Sequence, residues 1–410
     1  MTSQPTPPSP NPSPSSPSSS FPKLFLRKSG THRIYEGHPW VFQNEIDRIE
    51  GNVKNGDYLA AYDSRGQLLG SGIYNNQSRI VFRRYSRELQ ALDRSFLTTT
   101  IRKAIQYRRT LQPTPPPAER LVWSESDSLP GLVVDRYHDH LVIQTLTFAF
   151  AQRQPLIIEI LTELLSPTCI IIRNDAPVRQ REGLPLEKSV ALGTYTPPTP
   201  ISLHGIEYHL NLLEGQKTGF YLDQLHNYLT IAQHAKDRRV LDCFCNQGSF
   251  GLHAAQHGAR SVHAIDQSEE AIALARTNAN RNNLFNISFE NANVFDALST
   301  QENEKKQYDL IILDPPSFTR NTDQIQSALR GYHEIHRRAL RLLAPGGLLA
   351  TFCCSHNITA ELWEKMINRA AASTRCQLRL RLRLTQASDH PILINVPETE
   401  YLKGLLLEKL

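Results

Sequence analysis

The stretch Leu241-Asp-Cys-Phe-Cys-Asn-Gln-Gly-Ser-Phe-Gly251 decides how this chain folds. Residues 239–243 read as a strand, the Asn-Gln-Gly that follows reads as a turn, and 250–257 read as a helix. Strand, glycine turn and helix open a doubly wound α/β sheet, whose ligands sit at the carboxyl ends of the strands. The pattern continues outward. A strand over 261–266 precedes a helix over 269–282, and 286–291 and 308–314 read as further strands. A long helix over 325–343, a strand over 348–353 and a helix over 360–372 complete an α/β unit that spans residues 201–410.

Toward the N terminus the pattern changes. Residues 23–90 hold short runs, 53–62, 68–74 and 78–85, broken by Gly, Asn and Asp, which predicts a small β-rich domain. Residues 91–200 mix a helix over 93–111, paired strands over 132–137 and 141–146, a helix over 154–165 and a strand over 169–173. They form an α+β middle domain on this reading. Thr196-Pro-Pro-Thr-Pro200 marks a boundary or stiff linker. The first twenty residues contain seven Pro and eight Ser and no charge, so 1–22 is expected to be a disordered tail. It has neither the basic start nor the apolar block of a secretory signal.

Composition bounds the function. With 410 residues, 40% hydrophobic and 21% charged, two or three cored domains are expected. The apolar runs are far too short to span a membrane. Six cysteines, two of them adjacent at Cys353 and Cys354, do not make a disulfide framework, and reduced thiols in a cytoplasmic protein are expected. Net charge is +5, but residues 1–120 carry 17 Lys and Arg against 9 Asp and Glu. That basic third, with Arg79, Arg83, Arg84, Arg87, Arg102, Lys103, Arg108 and Arg109, suits a polyanion such as nucleic acid, although solvated surface charge is as good an account.

The strand ends supply the chemistry. Only Gly248 and Gly251 stand in the first turn, so it is not the three-glycine cradle of dinucleotide enzymes. Asp242 would suit a ligand ammonium, Asp266 stands near the spacing for ribose hydroxyls, and Asn293 could meet an adenine edge. An amino-acid head, a ribose and a base in that order describe S-adenosylmethionine. The fourth strand ends in Asp314-Pro-Pro-Ser-Phe318, where two prolines hold the chain extended and fix Asp314 at the cofactor. This resembles the Asp-Pro-Pro-aromatic motif of methyltransferases acting on planar nitrogens or nucleobases. Asp314 would hold an exocyclic amine, and Pro315, Pro316 and Phe318 would frame the ring. Thr351-Phe-Cys-Cys-Ser-His356 ends the fifth strand, and a thiol there suggests covalent catalysis on cytosine, whose carbon 5 is a poor nucleophile until a thiolate adds to carbon 6.

Further motifs complete a family pattern: His38-Pro-Trp-Val-Phe42, Ser128-Leu-Pro-Gly-Leu-Val-Val-Asp135, Arg179-Gln-Arg-Glu-Gly183, Gln216-Lys-Thr-Gly-Phe-Tyr-Leu-Asp-Gln224, Arg330-Gly-Tyr332, Ala387-Ser-Asp-His-Pro391 and Tyr401-Leu-Lys-Gly404. From about residue 23 onward the chain resembles the ribosomal RNA large subunit methyltransferase I family, class I S-adenosylmethionine-dependent RNA methyltransferases with an N-terminal PUA domain. The resemblance implies a PUA-like RNA-binding domain, a Rossmann-like methyltransferase domain, ribosomal RNA as partner and methylation of cytosine carbon 5. It implies Cys354 as nucleophile and Asp314 as base holder. It also puts Phe220, Tyr221 and Gln224 beside the cofactor, together with Phe244, Gly248 and Phe250. The RNA surface is expected to include Arg83 and Arg84. Leu225 stands where Arg is usual, Asn293 where Asp is usual and Cys353 where Ser is common. Methylation of a base nitrogen, or a non-catalytic RNA-binding assembly role, are the alternatives. No metal and no membrane are expected, and a homodimer is left open.

Overall fold

In the computed structural model, residues 21–28, 32–319 and 322–410 are described. The expected tail lies, up to residue 20, outside them.

Alternating apolar residues build the N-terminal sheet. Its six strands run in the order Trp40–Phe42, Ile80–Ser86, Leu68–Tyr74, Tyr58–Tyr62, Lys23–Leu26, Ile46–Glu50. One face buries Leu24, Leu26, Val41, Leu59, Ala61 and Val81 in a core of its own.

The middle sheet has no such independence. It has five strands in the order Glu187–Leu192, Cys169–Asn174, His140–Thr145, Leu132–Tyr137, Ala118–Trp123. Its inner strands hold continuous apolar runs, Leu141-Val-Ile143 and Ile170-Ile-Ile172, because both faces are covered there. Leu141, Ile143, Ile170 and Ile172 pack beneath helices Arg94–Leu111 and Gln154–Leu165. Val142 and Ile171 point the other way, into the core of the C-terminal unit. The hairpin Thr199–Leu203 and Ile206–Leu210 joins that same core, so the expected linker at 196–200 leads straight into a strand.

The C-terminal sheet comprises β1 (Arg239–Cys243), β2 (Ser261–Asp266), β3 (Ile287–Asn291), β4 (Tyr308–Leu313), β5 (Leu343–Cys353), β6 (Leu378–Thr385) and β7 (Lys403–Lys409). Helices α1 (Ser249–Gln256), α2 (Glu269–Arg281), α3 (Val294–Asn303), α4 (Ile325–Leu342) and α5 (Ala360–Ser373) connect them. The spatial order is β3-β2-β1-β4-β5-β7-β6, with β1 to β5 parallel and β7 antiparallel to β5. Strand order reverses between β1 and β4, which is where a doubly wound sheet opens a crevice. Among the described residues, no helix is long and apolar enough to cross a membrane.

Candidate active site

The crevice begins with strained backbone. Phe244, Asn246 and Gly248 all take left-handed conformations, at φ of 64°, 47° and 84°. A phenylalanine there costs on the order of 1–3 kcal/mol, a strain that clusters at ligand sites. Glycine at 248 answers two demands. It takes the positive φ, and a Cβ would sit 3.1 Å from the Phe289 ring and 3.3 Å from Ala275. The loop places Phe244, Asn246 and Phe250 on the wall of a cleft of about 580 Å³.

Around that cleft the strand ends converge. Asp266 from β2, Asp314, Pro315 and Pro316 after β4, and Cys354 after β5 all line it, and so do Tyr221 and Gln224 from the preceding segment. Asp266 accepts the amides of Asn246 and Ser268, each at 2.9 Å, which leaves acceptor capacity on both oxygens. Gln224 is locked by Asn227 at 2.6 Å and donates to Asp314 Oδ2 at 3.1 Å. Burial, with Asp223 adding repulsion, pushes the Asp314 carboxyl up to about 7.

The two thiols separate as strand alternation demands. Cys353 is fully buried in the core beneath α4 and α5, and Cys354 is partly exposed on the cleft wall. Burial first, then Asp314, pushes the Cys354 thiol up to about 11, and Lys217 pulls it back.

Several expected residues lie elsewhere. Asp242 is fully buried behind the turn, where its Oδ2 accepts the Gly251 amide at 2.8 Å. It orders the turn and does not line the cleft, so it is no direct ammonium ligand. Burial pushes it up to about 8, and its Oδ1 has no partner among the described residues. Gly248 likewise shapes the turn from outside the wall. Asn293 uses its side-chain carbonyl to cap α3, accepting from Phe295 at 2.9 Å. Phe220 is 1% exposed and packs on Tyr208 and Tyr228, so it is core. Phe318 packs on Tyr332, Phe295 and Phe244 and braces the wall from behind. Leu225 is core too, so its side chain replaces nothing in the cleft.

The RNA-surface expectation for Arg83 and Arg84 fails on geometry. Arg83 pairs with Glu125 at 3.1 Å and Glu182 at 3.2 Å in a buried seam. Arg84 donates to the carbonyls of Gly37 at 2.7 Å and Leu69 at 3.1 Å. Both guanidiniums are committed internally. Sequence reading assigned no role to Lys217, Asp223 or Tyr401, which line the cleft as a bonded cluster. Their signal was the family motifs themselves, Lys217–Gln224 and Tyr401–Gly404.

Residues 24–87 match the PUA-like domain family, and residues 234–395 match a methyltransferase domain family. Ribosomal RNA large subunit methyltransferase I of Tolumonas auensis is 38% identical over 392 residues, covering 94% of this chain and 98% of that protein. The chain belongs to that family. The methyltransferase I of Klebsiella pneumoniae strain 342 is 34% identical over 391 residues, with 94% and 98% covered. Two solved proteins described as methyltransferases share the fold at 21% identity, each covering 94% of this chain and 99% of its own. SMU.776, solved with SAH, superposes with a TM-score of 0.83, and a protein from Streptococcus mutans with 0.81. The PUA-like match falls on the N-terminal sheet of this chain, and the methyltransferase match falls on the C-terminal sheet that carries the cleft at its switch point.

Proposed function

We propose that this chain methylates carbon 5 of a cytosine in large-subunit ribosomal RNA through a covalent adduct on Cys354. The observation that carries the reading is that Cys354 and Asp314 line one cleft while Cys353 is turned into the core. The cofactor is S-adenosylmethionine, which supplies an electrophilic methyl group when bound. The strained Phe244–Gly248 turn and the free acceptor capacity of Asp266 fit such a group. Asp266 would take the ribose hydroxyls, and Phe244, Phe250 and Tyr221 the apolar surfaces.

The chain's own residues then prepare the base. Cys354 loses its proton to solvent, and the sulfur pair forms a bond to carbon 6. Asp314, titrating near neutrality, can donate a proton to ring N3 as that bond forms, which draws electron density through carbon 5. After carbon 5 takes up the methyl group, water takes the carbon-5 proton, re-formation of the 5,6 double bond expels the thiolate, and N3 returns its proton to Asp314. A stacked target must first be flipped out, at a cost of a few kcal/mol. The PUA-like sheet would contribute RNA affinity.

A second reading, methylation of a base nitrogen, draws on the raised Cys354 thiol, which is mostly protonated at neutral pH without a ligand. RNA bearing 5-fluorocytidine separates the two, because fluorine blocks the proton-loss step. Wild type and Cys353→Ser should trap as covalent adducts, and Cys354→Ser should not. A Cys354→Ser enzyme that methylates at the wild-type rate would overturn the covalent mechanism, and nucleoside mass spectrometry would then show an N-methylated base.

A further inference from the structure

Among the described residues that line the cleft, Lys217 is the only cation. Its Nζ lies 2.7 Å from Asp223 Oδ2 and 4.5 Å from the centre of the Tyr221 ring. Asp223 is 3% exposed, accepts the Tyr401 hydroxyl at 2.6 Å, and leaves its Oδ1 without a partner among the described residues. The pair is therefore lopsided. The carboxylate is sunk into the wall, and the Lys217 side chain, two-fifths exposed, stands on the cleft side.

The backbone fixes that placement. Lys217 is left-handed at φ 52°, and Gly219, at φ 128°, passes so close to Leu212 that a Cβ would lie 2.6 Å from it. Between them Thr218 is buried and donates to Asp135 Oδ2 at 2.5 Å. Asp135 in turn holds Arg120 through two bonds of 2.7 and 2.8 Å. The middle domain thus anchors the segment that presents the ammonium.

We propose that Lys217 is a positioning residue that biases Cys354 toward its thiolate, with Asp223, Tyr401 and the Thr218 anchor holding the ammonium in place. This rests on the covalent reading above. The charged and titratable groups around Cys354 include Asp314 after β4, Asp223 and Tyr221 on the anchored segment, Tyr332 on α4, the neighbouring Cys353, and Lys403 on β7, whose ammonium is tied to the Ser355 carbonyl at 3.0 Å outside the cleft lining. Two carboxylates oppose ionisation, and among the described residues that line the cleft Lys217 is the cation that favours it. A thiol so surrounded needs a fixed cation to react.

The test is alkylation of Cys354 by iodoacetamide in the full chain, without RNA or cofactor, read by peptide mass spectrometry across pH. Partly exposed Cys376 is the internal control. Lys217→Gln should slow Cys354 about tenfold at each pH below the midpoint, one pKa unit of thiolate fraction, with Cys376 unchanged. Lys217→Arg should stay near wild type, and Lys217→Met should repeat the Gln result. Methylation by Lys217→Gln should recover toward wild type as pH rises. Alkylation of Cys354 at the wild-type rate in Lys217→Gln and Lys217→Met, or a methylation loss equal at every pH, would overturn the proposal. Failure of wild type to trap on 5-fluorocytidine RNA would instead overturn the covalent reading, whatever the alkylation shift.

Discussion

The seam beneath the N-terminal sheet and the cleft of the C-terminal sheet use buried charge in opposite ways. At the seam, Glu182 accepts from Arg83, Asn75 and Ser78, and Glu125 accepts from Arg83 and Trp40. Of these groups only Arg83 Nε lacks a partner. On the cleft wall, Asp223 Oδ1 is buried without a partner among the described residues, and the Asp314 and Cys354 protons are held abnormally tightly. A satisfied network fixes how two sheets sit together. An unsatisfied one stores interaction for a ligand, since each unpaired buried group regains free energy when something binds it.

The largest effect should come from breaking the satisfied side. Glu182→Ala leaves Arg83, Asn75 and Ser78 facing one another without their shared acceptor, and removing one partner of a buried pair costs about 3–5 kcal/mol. Denaturant unfolding should show that loss, and cofactor affinity under native conditions should stay near wild type. A change below about 1 kcal/mol would mean the seam is solvated, and the contrast with the cleft would collapse.

Next comes the cofactor side. Asp266→Ala should weaken S-adenosylmethionine binding by about 1.5–3 kcal/mol, the range for hydrogen bonds to a charged group. Calorimetric titration checks it. Because Asp266 also accepts the Asn246 and Ser268 amides on its two oxygens, Asp266→Asn sharpens the assignment: it keeps the size and one of the two loop acceptors and loses the charge. An unchanged dissociation constant in both variants would remove Asp266 from the ribose site.

These partners show what could be read in advance. The parallel strands of the C-terminal sheet were legible because most are short apolar runs closed by a turn, with Asp242, Asp266 and Asp314 at three of the ends. Cys354 was legible from alternation and family pattern together. The middle sheet's dependence on the C-terminal core was not, since the run Ile170-Ile-Ile172 shows that both faces are buried without showing against what. Arg83 was misread because its partners stand 42 and 99 residues away, and a guanidinium in a basic stretch looks the same whether it meets phosphate or Glu182. Asp242 and Asn293 stand at the expected strand ends, but backbone amides at Gly251 and Phe295 claim them first.

A third test uses pH. Asp314 is raised to about 7 by burial and Asp223, so the folded state keeps a proton that the unfolded chain releases near pH 4. Its contribution to stability is full below about pH 4 and declines until about pH 7. Asp314→Asn should therefore melt later than wild type at about pH 8, by about 1–2 kcal/mol given partial solvation of the wall, with the gap closing toward pH 4. At the seam the sign reverses. Burial opposes ionisation of Glu398, but Arg33 and His38 hold it down at about 2, so its contribution is present at neutral pH and is lost as pH falls toward 2. Parallel thermal melts of Asp314→Asn and Glu398→Gln should move in opposite directions at neutral pH. Movement in the same direction would show that the two regions do not differ in kind.

The smallest effect belongs to the cations that the seam leaves out. Arg79 and Arg87 are exposed, and neither makes an ion pair among the described residues, in contrast to Arg83 beside them. If the basic excess of the first 120 residues serves ribosomal RNA, these two carry it rather than Arg83 and Arg84. Each phosphate contact removed should flatten the salt dependence of binding by about 0.7–0.9 in log–log slope. Arg79→Ala with Arg87→Ala should therefore weaken binding uniformly across RNA sequences and lower the slope by up to about 1.8, without loss of stability. Arg83→Ala should do the reverse: it should destabilise the fold and leave the slope of the surviving folded protein unchanged. Filter binding over a salt series, paired with denaturant unfolding of the same variants, reads both quantities. A wild-type slope in the Arg79 and Arg87 double variant would move the RNA surface off this face of the PUA-like sheet.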